Sequence, residues 1–211
     1  MSSDWNNFST WLQQRLQQPL PGYSAQTRMM SAYRPEASDA PADARQSGVL
    51  LLLYPDQNET KTVLIQRTLD GGAHSGQIAL PGGKQEPSDS SIVHTALREA
   101  EEEVHLNTTL VTPIGQLSSL YIPVSKFVVN PVVAIASTKP QLTPSDQEVA
   151  DILRPSLPLL FHNVQEVSIT LHNNLKLKAP AYMLEDNRYV WGATAMILSE
   201  LECIFKEYML R

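Results

Sequence analysis

Four glutamates fall within five residues in the stretch TALREAEEEV, residues 95–104, on what reads as a helix. Like charges at i,i+4 on a helix repel by about 0.2–0.5 kcal/mol per pair. A chain with only 18% charged residues therefore has some reason to crowd them. At about 100° per residue, Glu99, Glu102 and Glu103 share one stripe and Glu101 points away. Val93, Ala96, Leu97, Ala100 and Val104 make the apolar face that must lie on a core, and the acidic stripe runs along its edge. Partial burial there raises both repulsion and desolvation cost. A divalent cation reverses that cost, and an all-oxygen donor set suits Mg²⁺ or Mn²⁺. The competing reading is an ordinary solvated acidic face. Arg98, four residues before Glu102, can orient a carboxylate through its planar fork.

The rest of the chain supplies the core for this helix. Trp5, Phe8, Leu12 and Leu16 recur at helical spacing, and Pro19 and Pro21 stop that helix. Residues 22–47 read as an irregular lead-in. Two strand-like runs follow, GVLLLLYP and KTVLIQRT, split by the turn DQNET. A glycine-studded loop leads to the glutamate helix, expected from about residue 90 to 104. LVTPIGQL and FVVNPVVAIAS read as strands, with Pro131 implying an edge position or a bulge. PSDQEVADIL reads as a helix starting near Ser145. VQEVSITLH, LKLKAPAYML and RYVW read as strands before a closing helix over 193–210. Interleaved strands and helices point to an α/β (α+β) class with a mixed sheet. The lead-in, residues 1–47, is expected to pack on a domain formed by 48–211. The aromatic face of Trp5, Phe8 and Trp11 suits either that domain or a partner, a homodimer included.

A net charge of −6 and a pI near 5.3 argue against nucleic-acid or anionic-membrane partners, but not against a small anionic substrate held by a few basic side chains. Cys203 is the sole cysteine, which excludes an internal disulfide and reads as a core thiol. Residues 1–18 show no secretory pattern, and the apolar run at 49–54 is far short of the roughly 20 residues that span a bilayer. These features point to the cytoplasm.

Gly82-Gly83, an acid in the following loop, and Arg98-Glu99-Ala100-Glu101-Glu102-Glu103 resemble the signature of the Nudix hydrolases: glycine, five residues, glutamate, seven residues, REUXEEXGU with U apolar. Two positions depart from it. Asp89 fills the first acidic place, with eight residues before Arg98, and His105 stands for the final glycine. The one-residue expansion resembles the coenzyme A pyrophosphatases, whose additional motif is similar to LLTxRSxxxxxHxGxxxFPGG. Residues 64–83, LIQRTLDGGAHSGQIALPGG, keep Arg67, His74, Gly76, Pro81, Gly82 and Gly83, with Leu80 for the phenylalanine. Further likeness in residues 115–135, 147–153 and 190–198 extends the match to roughly 48–200.

The resemblance implies an α/β/α sandwich, and Mg²⁺ or Mn²⁺ bound by Glu99, Glu102 and Glu103. It implies a general base among Glu102, Glu103 and Glu148. Glu148 reads more readily as a first-turn helix glutamate, with Ser145-x-x-Glu148 as a capping box. Arg67 is expected to meet a phosphate or to form a sheet-edge ion pair. His74 is expected to donate to a phosphate or to fasten its loop to backbone carbonyls. Gly82 and Gly83 suit a tight turn close to a diphosphate. His105 either strains the helix end or leaves it to Asn107. His94, His162 and His172 read as structural. The implied substrate is coenzyme A or an acyl derivative. ADP-ribose or a dinucleotide is the alternative, and a non-catalytic Nudix-fold binding module is a third reading.

Overall fold

The apolar run at 49–54 lies within β1 (Arg45–Asp56), the strand around which the fold is built. In the computed structural model, which describes residues 3–32, 40–69, 71–72, 74–170 and 176–211, Leu50, Leu51, Leu52, Leu53 and Tyr54 are all enclosed. A continuous apolar run is what a strand covered on both faces requires. β1 pairs in parallel with β8 (Phe127–Ala136) and antiparallel with β2 (Glu59–Thr62) and β5 (Gly82–Lys84). Gln57 and Asn58, both at positive φ, make the two-residue turn from β1 to β2. β6 (Val111–Gln116) and β7 (Leu120–Ile122) share the other edge of β8, completing a mixed six-stranded sheet.

Two smaller sheets complete the strand set among the described residues. β4 (Ile78–Ala79), β3 (Leu64–Arg67) and β9 (Val149–Leu153) form one, and β10 (Val164–Thr170), β11 (Lys176–Met183) and β12 (Tyr189–Val190) the other. Among the described residues five α-helices pack around them: α1 (Ser3–Arg15), α2 (Tyr23–Gln26), α3 (Ile92–Val104), α4 (Leu157–His162) and α5 (Gly192–Met209). Even-numbered residues of β1 and β8 (Leu50, Leu52, Val132, Ala134) meet Ala96, Ala100 and Val104 of α3. Odd-numbered ones (Leu51, Leu53, Val129, Val133) meet α1 and α5. The alternation of a strand divides the core in this way, and the result is the expected α/β/α sandwich.

Several expectations are corrected. KTVLIQRT is not one strand: it divides at Val63 between β2 and β3, which lie in different sheets. Pro131 lies in a strand paired on both sides rather than at an edge. Its carbonyl accepts from Leu117 N–H, so its missing N–H faces the break between β6 and β7 and costs no ladder bond. PSDQEVADIL is not a helix. Residues 146–148 form a single turn, and Val149–Leu153 then runs as β9 against β3. Cross-strand pairing of this apolar segment outweighs a helix start that would bury little.

The lead-in is more ordered than its composition suggests. It holds α2 and a 3₁₀ turn (Thr27–Met29), while residues 33–39 lie outside the described set, as does His172. Glu200 of α5, fully buried, accepts from Gly22 N–H (2.9 Å), Gln26 Nε2 (3.2 Å), Ser118 N–H (3.1 Å) and Ser118 Oγ (2.7 Å). Cys203 is half-buried rather than a core thiol, and its Sγ accepts from Arg28 Nη1 at 3.1 Å. No helix among the described residues is long and apolar enough to cross a membrane.

The aromatic face of α1 is used within the chain. Phe8 meets Phe205 and Tyr208 edge-on, at 5.7 and 5.0 Å between ring centroids. Truncating so enclosed a ring removes its transfer energy and leaves a cavity. Phe8→Ala is therefore expected to lower the unfolding free energy by about 3–5 kcal/mol, read by urea titration. A loss under about 0.5 kcal/mol, the range of ordinary surface changes, would mean that α1 lies outside the cooperative core.

Candidate active site

The glutamate helix begins where Ser91 caps it, its hydroxyl accepting from His94 N–H at 3.2 Å. Its buried face comprises Thr95, Ala96, Ala100, Glu103 and Val104, rotated from the face read in the sequence. Val93 and Leu97 are only half-buried, and Glu103, expected at the edge, lies inside at 2% exposure. Glu99 is partly enclosed, Glu102 is largely exposed and Glu101 is exposed.

Arg98 is the hub of the box. Its Nε and Nη2 donate to the two oxygens of Asp89, each at 3.0 Å. Nη2 also reaches the Lys84 carbonyl at 3.1 Å and Glu99 Oε1 at 2.9 Å, and Nη1 reaches Glu102 Oε2 at 3.1 Å. The two-pronged pairing holds Asp89 well below the usual carboxylate range, helped by Glu86 N–H and Thr95 Oγ1. Asp89 thus fills the first acidic place of the box as an anchor for Arg98. Thr95, Glu86 and Lys84 were not singled out from the sequence. Their contribution is a hydroxyl and two backbone groups, which leave no pattern to find.

Glycines let the backbone into this cluster. Gly82 and Gly83 do not form a tight turn. They lie in β5, paired with Val49 and Gly48 of β1. A Cβ on Gly82 would strike the Gly48 carbonyl and Val49, and one on Gly83 would overlap the Glu99 carboxylate. Gly82 N–H donates to Glu103 Oε2 at 2.8 Å, and Arg67 Nη1 meets Glu103 Oε1 at 3.3 Å. Arg67 takes an ion pair, as one of its two readings held, though with a buried partner. His74 is exposed, and its Nδ1 faces the Gln77 side chain at 3.1 Å rather than a backbone carbonyl.

Glu148 reaches the same place by another route. At the end of α3, His105 itself takes the left-handed conformation (φ 50°), so Asn107 is not needed there and instead caps the next 3₁₀ turn. His105 Nδ1 lies 3.0 Å from the Thr143 carbonyl, which helps to hold it. Thr143 N–H donates to Val104 O and Ser145 N–H to Glu103 O, tying the following segment to the helix end. The turn at 146–148 then delivers Glu148, exposed, near enough that it raises the pKa of both Glu99 and Glu103. With no helix there, the dipole and capping-box readings of Glu148 no longer apply.

Burial is the main force on the enclosed acids. It pushes Glu103 up to about 7 against the pull of Gly82 N–H and Arg67, and Glu99 and Glu148 add to the rise. Glu99 is raised for the same first reason, with Arg98 opposing. Among the described residues no three acidic, histidine or cysteine side chains stand together as a finished metal cage. The donor set nevertheless fits a hard divalent cation. It is all carboxylate oxygen, mutually repelling, with the space beside Glu99 kept clear by Gly83. As the chain stands, arginines compensate these carboxylates. A cleft of about 800 Å³ opens elsewhere, beside Arg154 and Arg188, and the box carboxylates do not line it.

The two glycines separate fold from site. Gly82→Ala collides with backbone and is expected to lower the thermal midpoint by several degrees, since about 1 kcal/mol already moves Tm by roughly 2–4 °C in a domain of this size. Gly83→Ala meets only a flexible side-chain end, so it should leave Tm nearly unchanged while displacing the Glu99 carboxylate. Equal melting losses in both would refute this division. Glu103 also sets a pH dependence. An acid whose folded pKa exceeds its unfolded one binds extra proton in the folded state between the two values, so stability falls as pH rises. Metal-free protein should lose about 3 kcal/mol from this group between about pH 4.5 and 7, and Glu103→Gln should flatten that slope in urea unfolding.

The model of the NUDIX domain matches residues 44–180. A protein named as the uncharacterized Nudix hydrolase NudL of Pectobacterium atrosepticum is 32% identical over 157 residues, 74% of this chain and 81% of that protein. Its namesake in Yersinia pestis is 34% identical over 144 residues, 66% and 70% of the two chains. Among solved structures, the Nudix hydrolase RenU of M. smegmatis superposes with a TM-score of 0.53 at 14% identity, covering 85% of this chain and 94% of its own. A C. elegans Ap4A hydrolase binary complex gives 0.52 at 11% identity, covering 77% and 98%. These two likenesses concern the fold alone. With the box helix, its arginine brace and its carboxylates described, the match over residues 44–180 completes the case: the chain belongs to the Nudix hydrolase family.

Proposed function

We propose that this protein is a divalent-metal-dependent hydrolase of coenzyme A or acyl-coenzyme A, cleaving the diphosphate to 4′-phosphopantetheine (or its acyl form) and adenosine 3′,5′-bisphosphate. The observation that carries the hydrolase reading is the set Glu99, Glu102, Glu103 and Glu148, drawn together from α3 and the turn before β9. A binding module has no need of that set. The coenzyme A reading is supported by residues 64–83, where Arg67, His74 and the Pro-Gly-Gly run keep the subgroup's pattern. In this reading 48–211 is the catalytic domain, 1–47 packs on it, and the enzyme works in the cytoplasm on a small nucleotide. A homodimer is compatible with it.

Nudix hydrolases generally use Mg²⁺ or Mn²⁺. Here Glu99, Glu102 and Glu103 would hold the ion, which when bound lowers the pKa of water and neutralises a diphosphate. The residues do the remainder. Arg98, braced on Asp89, fixes Glu99 and Glu102. Arg67 and the backbone of Gly82 and Gly83 face the anionic substrate, with His74 at the loop rim. Glu148 is the proposed base. It accepts the proton as a water oxygen bonds to one phosphorus, and the bridging P–O bond breaks with its electron pair leaving on the other phosphate.

The test compares coenzyme A, dephospho-coenzyme A, ADP-ribose and dinucleotides as substrates with Mn²⁺ present. Coenzyme A should lead in kcat/KM, and clear preference for ADP-ribose or a dinucleotide would reject the subgroup assignment. Glu102→Gln, changing an exposed side chain, should fold normally and lose at least about 100-fold in turnover. Undiminished metal-dependent hydrolysis in that variant would refute the metal assignment.

A further inference from the structure

The two arginines of the site are held very differently. Arg98 is locked by contacts to Asp89, Glu99, Glu102 and the Lys84 carbonyl. Arg67 offers five donors but, among the described residues, spends its side chain on one ion pair, to Glu103. Its backbone is fixed in β3, with its N–H on the Gln77 carbonyl and its register opposite Val149. Its side chain keeps 29% of its surface open. The anchor is fixed, and the guanidinium, with one ion pair among the described residues, is the less restrained of the two.

Glu103, at 2% exposure, cannot remain ionised without a nearby positive charge. Arg67 meets that need, with Gly82 N–H on the other oxygen. Both oxygens are therefore occupied in the metal-free molecule. Each oxygen so engaged keeps a second lone pair, but a cation bound there would stand beside the Arg67 guanidinium and be repelled by it, and Arg67 can move without pulling β5 from β1.

We propose that Arg67 is a stand-in cation, neutralising Glu103 in the metal-free enzyme and releasing it on metal loading, so that its guanidinium turns to an anionic group of the substrate. This rests on the reading of Glu103 as a metal ligand. The exchange keeps the buried carboxylate paired throughout, and it couples the two binding events. Metal frees the arginine for the substrate, and a substrate that captures the arginine favours metal by the same factor.

Mn²⁺ binding, followed by electron paramagnetic resonance of the free ion at pH 8.5 and low ionic strength, tests this on wild type, Arg67→Gln and Arg67→Lys. The Gln variant should bind Mn²⁺ about tenfold more tightly, because a unit charge beside the ion is gone and screening is weak. Its loss of activity should fall mainly on KM, and the Lys variant should bind Mn²⁺ close to wild type. Unchanged or weaker Mn²⁺ binding by a folded Gln variant overturns the proposal. A second measurement needs only wild-type protein and the Lys variant for assignment. The Arg67 side-chain N–H signal should exchange slowly without metal and quickly at saturating Mg²⁺, and an unaltered signal overturns the proposal equally. Wild type that takes up no Mn²⁺ at all removes the metal reading itself. Uptake without tightening in the Gln variant removes only the role of Arg67.

Discussion

The approach of α3 to β1 and β5 is the constraint on which the site depends. At Gly48 a Cβ would come within 2.7 Å of the Ile92 carbonyl and 3.0 Å of Ala96 N, and neither belongs to a side chain that can yield. Gly82 repeats the condition one strand away, against the backbone of Gly48 and Val49, whereas Gly83 leaves room for the Glu99 carboxylate. Two positions without side chains therefore let a helix and two strands meet at backbone distance, and a third makes space for an acid between them. Only at that distance can the Gly82 N–H reach a carboxylate on the helix. A looser contact would admit water, and Glu103 would be an ordinary surface acid.

The charges follow from that packing. Close approach buries Glu103 and half-encloses Glu99, and each buried acid calls for a counter-charge. Arg98 and Arg67 supply it in two manners, one braced by Asp89 and one held, among the described residues, by a single ion pair. Acids on one helix edge thus sit beside two guanidinium groups of unequal freedom. The braced one preserves geometry, and the other can respond to a ligand.

Much of this was legible in the residues, and the failures have physical causes. Wide apolar spacing in α1 and α5, and the continuous run of β1, made their elements plain. The box around Arg98 marked the site because its chemistry demands particular side chains at particular intervals. Residues 145–153 misled because Ser145 and Glu148 mimic a helix start, whereas pairing with β3, a partner some 85 residues away, decides the outcome. Pro131 misled because the sequence does not tell which neighbour its missing donor would face. The depth of Glu103 could not be read either. A helical wheel orders side chains around an axis but does not say how far the helix is pressed into its sheet.

The carboxylate of Glu200 leads to a different conclusion. Four donors converge on it, two from Gly22 and Gln26 of the lead-in and two from Ser118. The family's own boundary begins at residue 44, downstream of the first pair. A chain trimmed to that boundary would lose two of the four donors to Glu200 and uncover the apolar side of α5 on which Phe8 and Leu12 pack. The segment ahead of the shared domain is thus an integral wall of the molecule.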